Sequence, residues 1–353
     1  MKRFLSILLC ATLVITACSC KNKKSVSADL SDITTSKASS SNMVTSPEIV
    51  EIEAFSSKPE TSSEYSSKPL TTTSKANYSS SKVQTSSQNS QNELQQNQII
   101  NSVQPLNYTV NDPNNLRGLS TEKKGYSFGI AKDGKPHSQS VINQNTFDGF
   151  ENVKALALDT KTAEKVMYLT FDNGYEYENL TADILDTLKE KGVKAAFFIT
   201  MSYAKSNKAL VQRMIDEGHI VGNHSTTHPS FPSLSRTQMA EEIATLDNYL
   251  RETFGYTSPY FRFPAGEYSE CSLELVTSIG FRSVFWSVAY ADWDTSNQKG
   301  TDFAYNTVTS RFHPGAVILL HAVSKDNAAA LGSMIDFAVS QGYTFKTLDN
   351  YFG

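Results

Sequence analysis

Val166-Met167-Tyr168-Leu169-Thr170-Phe171-Asp172-Asn173-Gly174 decides how the chain is read. Val166 to Phe171 is a short apolar run, which predicts a buried strand. It ends on a carboxylate, an amide and a glycine, which alone read as an ordinary turn. The same alternation recurs downstream. Thr181 to Lys191 has helical spacing at Ile184, Leu185 and Leu188 and stops at Gly192, and Ala195 to Ile199 is strand-like. Leu210, Met214 and Ile215 share a helical face closed by Gly218, and Ile220 and Val221 open another strand. Ser235 with Gln238 forms a capping-box pattern ahead of a helix from Met239 to Phe254. Phe261 to Phe263, Ser283 to Trp286, Val317 to Leu320 and Thr344 to Thr347 complete the strands. Short apolar strands alternating with helices predict a parallel α/β fold, a barrel or near-barrel whose chemistry sits at the C-terminal strand ends.

The first part of the chain reads differently. Lys2 and Arg3 precede an apolar run from Phe4 to Ile15, too short for an ordinary membrane span. Ile15-Thr16-Ala17-Cys18 resembles a bacterial lipobox, which predicts a signal over residues 1–17 and lipidation of Cys18. The expected location is the extracellular face of the cell membrane, lipid-anchored. An ordinary secretory signal with an incidental Cys18 is the alternative. Residues 21–104 hold 30 Ser or Thr in 84 positions and cannot bury enough apolar surface to offset their conformational entropy. Residues 18–107 therefore read as a disordered Ser/Thr-rich tether, 108–165 as an extension, and 166–353 as the main domain. The formal net charge of −4 gives no support for a nucleic-acid partner. Cys10, Cys18, Cys20 and Cys271 have no spacing that implies a disulfide framework or a cysteine-based zinc site.

Five strand ends carry side chains suited to chemistry. Asp172 and Asn173 follow the first strand. His224 and His228 lie four apart, a spacing that on a helical turn points both rings at one metal ion. His219 reads as structural. Arg262, ahead of Phe263-Pro264-Ala265-Gly266, suits a carboxylate held by two hydrogen bonds; a surface ion pair is the plainer reading. Asp292-Trp293 follows the strand containing Trp286. Leu319-Leu320-His321 ends a buried strand in a candidate general acid or base.

Together these stretches resemble the polysaccharide deacetylase family, carbohydrate esterase family four. The stretches that carry the resemblance run from Tyr168 to Glu176, Asp216 to His224, Phe285 to Ala289 and Leu320 to Ser324, and Asp326-Asn327-Ala328 follows in the same manner. The resemblance covers about Tyr126 to Phe352. It is nearest the delta-lactam-biosynthetic branch, which deacetylates muramic acid in peptidoglycan. It implies a distorted (β/α) barrel and the following roles. Asp172 is the catalytic base, Arg262 orients it, and Asp292 supports the general acid His321. His224 and His228 hold one divalent metal ion, with Asn173 where the wider family has Asp. Zn²⁺ suits two imidazoles, and Mn²⁺ or Co²⁺ are alternatives. The backbone N–H of Ala265 serves the oxyanion. Trp293 and Leu319 wall the acetyl-methyl pocket. The implied partner is a peptidoglycan glycan strand, met by a monomer. An N-acetylglucosamine deacetylase is the second enzyme reading. An inactive sugar-binding surface lipoprotein is the reading from another class.

Overall fold

The computed structural model describes residues 106–353, so the signal, Cys18 and nearly all of the Ser/Thr-rich stretch lie outside the described residues. Its strands are β1 (Lys124–Gly125), β2 (Ala155–Leu156), β3 (Val166–Asn173), β4 (Ala196–Ile199), β5 (Ile220–Asn223), β6 (Tyr260–Phe261), β7 (Glu267–Tyr268), β8 (Arg282–Val284), β9 (Ala316–His321) and β10 (Thr344–Phe345). β1 and β7 form a separate antiparallel ribbon. The others form one parallel sheet in the order β10-β3-β4-β5-β6-β8-β2, with β9 also paired to β3. Isolated bridges at Val288↔Ile318 and Leu158↔Ala316 bring the far side of the sheet back onto β9. The expected distorted barrel is the fold observed.

A period of two sorts the side chains between two faces. Val166 and Tyr168 of β3, Phe198 of β4, Ile220 of β5, Tyr260 of β6 and Val317 of β9 form one buried cluster inside the curled sheet. Met167, Leu169, Phe171, Phe197, Val221, Ile318 and Leu320 pack instead with helical residues. Continuing the inner parity places Asp172, His224, Arg262 and His321 at the mouth of the sheet. Asn173 has the opposite parity. Gly222 lies on the inner face of β5, where an added Cβ would stand 2.6 Å from the Phe198 ring.

The helices are α1 (Ser138–Gly149), α2 (Leu180–Lys191), α3 (Met201–Ser206), α4 (Lys208–Asp216), α5 (Arg236–Phe254), α6 (Glu270–Ser278), α7 (Thr301–Thr309), α8 (Lys325–Ser340) and α9 (Asp349–Phe352). Gly192 closes α2 in the left-handed region at φ 66°. The Ser235–Gln238 capping box is present, and α5 begins directly after it at Arg236, one turn ahead of the expected Met239. The sheet also begins before Val166. β2 pairs with β8. Its edge is satisfied by Gln144 of α1, whose Oε1 accepts from Ala157 N (2.7 Å) and Leu158 N (3.2 Å) while Nε2 donates to Ala155 O (3.1 Å). Tyr126 and Phe147 add aromatic packing on Phe285, with ring centroids 4.6 and 4.9 Å away.

Candidate active site

Arg262 is the centre of the site. It follows β6 and is 0% exposed, so the surface ion pair expected as its plainer reading is not what the fold makes of it. Nη1 donates to Asp172 Oδ1 at 2.8 Å, Nη2 to Thr170 Oγ1 at 2.9 Å, and Nε to Val284 O at 2.9 Å. The guanidinium lies 4.2 Å over the Phe198 ring. Burial alone would push the Asp172 carboxyl up. The charge of Arg262, chief among its neighbours, outweighs it and holds the pKa below the usual carboxylate range. Asp172 is therefore an anion at neutral pH although it is buried.

The imidazole pair departs from its expected geometry. No helical turn carries the pair; residues 224–230 form a loop. His224 lies just past the strand, and the chain then turns through two left-handed residues, Ser225 at φ 70° and His228 at φ 59°. These turns place the two rings 4.8 Å apart between centroids, at 75°. A run of non-glycine residues carries no sign of such backbone, which is why the spacing alone suggested a helical turn. His224 Nδ1 meets Arg262 O at 2.9 Å, so Nδ1 carries the proton and Nε2 is the free donor atom. Nε2 faces Asp172 Oδ2 at 3.5 Å. Burial lowers the His224 pKa to about 4, so the ring is neutral at pH 7. His228, at the solvent edge, shifts in the same direction as its ring loses water.

Asn173 is fully buried on the other parity. Its Nδ2 donates to Thr181 Oγ1 at 3.3 Å, and its Oδ1 has no hydrogen-bond partner. An orphaned buried amide oxygen and two neutral imidazoles are a donor set suited to a divalent cation. Among the described residues no group of three His, Cys, Asp or Glu is arranged to hold a metal.

His321 closes β9 directly opposite Asp172, its partner in the parallel register. Its Nδ1 donates to Asp292 Oδ1 at 2.7 Å, and its backbone N–H donates to Asp292 Oδ2 at 2.8 Å. Burial would lower the His321 pKa. The Asp292 carboxylate, with Asp172 behind it, reverses this and raises it. Asp292 is not at a strand end; it sits eight residues beyond β8 on a loop. Asn327 Nδ2 holds it at 2.5 Å, and Tyr290 Oη donates to Asn327 Oδ1 at 2.7 Å. Asn327 entered the sequence reading only within the resembling stretch Asp326-Asn327-Ala328, with no role attached, and Tyr290 was not singled out, since a loop tyrosine carries no signal. His219 is structural as expected: its Nδ1 accepts from Ala195 N at 3.1 Å.

Trp293 is 42% exposed, its ring 5.6 Å from that of His321. Leu319 is buried and in register with Thr170. Ala265 is exposed in the Pro264–Gly266 turn at φ 53°, a left-handed conformation that costs an alanine about 1 kcal/mol. Direct contacts thus join Asp172, Arg262 and His224, then His224 with His228, and His321 with Asp292 and Trp293. Asn173 follows Asp172 in sequence, Leu319 is in register with Thr170 and two residues before His321, and Ala265 is three residues past Arg262.

Residues 159–284 match the family model described as polysaccharide deacetylase. The chain is 44% identical over 190 residues to the peptidoglycan-N-acetylmuramic acid deacetylase of Bacillus subtilis, covering 54% of this chain and 72% of that protein. It is 34% identical over 190 residues to a peptidoglycan-N-acetylglucosamine deacetylase of Bacillus cereus, covering 52% of this chain and 67% of that one. A solved family 4 carbohydrate esterase of Bacillus subtilis superposes with a TM-score of 0.60 at 38% identity, over 66% of this chain and 97% of that chain. The chain belongs to the polysaccharide deacetylase family, carbohydrate esterase family four, whose enzymes hydrolyse N-acetyl amide bonds.

Proposed function

We propose that the protein removes the N-acetyl group of N-acetylmuramic acid in peptidoglycan. The observation that carries amide hydrolysis is the facing pair of Asp172 and His321. One is a carboxylate held charged, and the other an imidazole held toward its protonated form. The muramic acid assignment rests on the higher identity to the muramic acid enzyme, 44% against 34% for the glucosamine enzyme. Asn173 supports it, as one position at which the sequence resembles that branch rather than the wider family. The intact set of Asp172, Arg262, Asp292 and His321 supports an active enzyme over a binding module.

An amide has a weak electrophile and a poor leaving group, so it needs help at both ends. Arg262 holds Asp172 Oδ1 and leaves Oδ2 to take a proton from the attacking water. His321 has Nδ1 engaged by Asp292, so its Nε2 proton is the one delivered to the departing amine. The backbone N–H of Ala265 donates to the oxyanion. Trp293 and Leu319 wall the acetyl methyl. A divalent cation would be held by His224, His228 and the Asn173 oxygen, and when bound it polarises the acetyl carbonyl and acidifies water. Zn²⁺ suits this set, with Mn²⁺ and Co²⁺ as alternatives. The amine released on muramic acid stands beside its lactyl carboxylate, so the product leads toward the muramic delta-lactam. Lipidation at Cys18 would hold the enzyme, as a monomer, on the outer face of the membrane. The test is acetate release from peptide-stripped glycan, with and without a chelator. Release abolished by chelation and restored by Zn²⁺, Mn²⁺ or Co²⁺ supports the reading; release that chelation leaves unchanged overturns the metal's part in it.

A further inference from the structure

We infer that Glu242, which touches neither imidazole, is a positioning residue that sets the affinity of the His224–His228 pair for its divalent cation. The inference rests on the reading of that pair as metal ligands. The four-residue step from His224 to His228 is held in a conformation its own residues do not favour, with Ser225 and His228 both left-handed. Such backbone persists only where surrounding contacts over-determine it. Three of those contacts, made by the residues between Ser225 and His228, go to one side chain. Glu242 Oε2 accepts from Thr226 N at 3.0 Å and from Thr227 N at 2.8 Å, and Oε1 accepts from Thr227 Oγ1 at 2.7 Å. The helix backbone adds to this: Glu242 O accepts from Thr226 Oγ1 at 2.8 Å, and Ile243 O from Asn223 Nδ2 at 2.9 Å. Inside the loop, Ser225 N donates to Asn223 Oδ1 and His228 N to Ser225 Oγ, both at 2.9 Å.

The two middle residues of the loop are thus tied to α5 by a carboxylate. An ionised carboxylate is acceptor-only and matches three donors. An amide in its place offers one acceptor oxygen and sets an NH₂ against the remaining donors. Without the tie, the backbone between the rings relaxes, and the cation must supply the ordering that the protein now supplies. Affinity falls while the fold, built on other contacts, remains.

The test is calorimetric titration of Zn²⁺ alone into the chelator-treated full chain. Glu242→Ala is expected to raise the Kd by about tenfold or more, within the range found when residues that orient metal ligands are removed. Glu242→Gln is expected between wild type and Glu242→Ala, and Glu241→Gln, one residue away, at the wild-type value. The Tm of the metal-free proteins is expected to stay close to that of wild type. An unchanged Kd for Glu242→Ala, whether or not its Tm falls, overturns the inference. If Glu242→Ala does not fold, Thr227→Val decides, since it loses one contact at constant shape: a raised Kd supports the inference and an unchanged one sinks it. Wild-type protein that binds no Zn²⁺, or His224→Ala that binds it equally well, overturns the metal reading itself.

Discussion

Arg262 shows what a single buried cation does in this molecule. Its charge is out of water entirely, and among the described residues Asp172 is the one carboxylate paired with it. Removing one partner of a buried pair leaves the other uncompensated, which costs about 3–5 kcal/mol. Arg262→Ala is therefore expected to lower stability by that amount in chemical denaturation, far more than loss of a surface pair would. The Asp292–His321 pair makes a second prediction, with a sign. The folded His321 pKa lies above its ordinary 6.5. The protonated ring is the general acid, so activity falls as pH rises through that raised value. Asp292→Asn removes the charge that outweighs burial, and the alkaline limb of the rate profile moves to lower pH. The same pair stabilises the fold fully below the unfolded imidazole pKa, and that contribution is lost as pH rises through the folded one. Asp292→Asn should consequently cost more stability in mildly acid than in alkaline solution. A limb that stays in place in Asp292→Asn would show that His321 does not govern it.

At the scale of elements, strand parity does most of the organising. The inner rows of β3, β5, β6 and β9 start with apolar residues in the sheet interior and end with a polar one at the mouth. The apolar runs, Gly192 as a helix stop and the Ser235–Gln238 box were legible because each is a local signal with one physical cause. β2 was not, because two residues, Ala155 and Leu156, carry no periodicity; a glutamine on α1 completes their hydrogen bonding. The site residues were legible as types at strand ends. Their depth was not: nothing in Arg262-Phe263-Pro264 distinguishes a surface arginine from a fully buried one. The loop from His224 to His228 escaped because its backbone is set by contacts from α5. Gly222 makes this scale testable. A methyl there meets Phe198, which in turn supports Arg262. Gly222→Ala is expected to cost about 1–3 kcal/mol by overpacking and to reduce activity as well; a melting temperature equal to wild type would contradict the packing described.

For the whole of the described molecule, the segment before Val166 is part of the fold. It supplies β2, the Gln144 contacts, and the Tyr126 and Phe147 rings against Phe285. A chain starting at Val166 would expose Phe285 and an unpaired sheet edge. It is expected to lose cooperative thermal unfolding, as followed by circular dichroism, whereas an unaltered transition would show the segment to be dispensable. The mouth of the sheet is proposed to receive N-acetylmuramic acid. This is tested by treating peptidoglycan glycan with the purified protein, digesting it to disaccharides and locating free amines and lactam rings by mass spectrometry. The expected result is free amines, or the lactam formed from them, on muramic acid, and neither with the Asp172→Asn protein. Free amines on glucosamine alone, or undiminished deacetylation by Asp172→Asn, would contradict it.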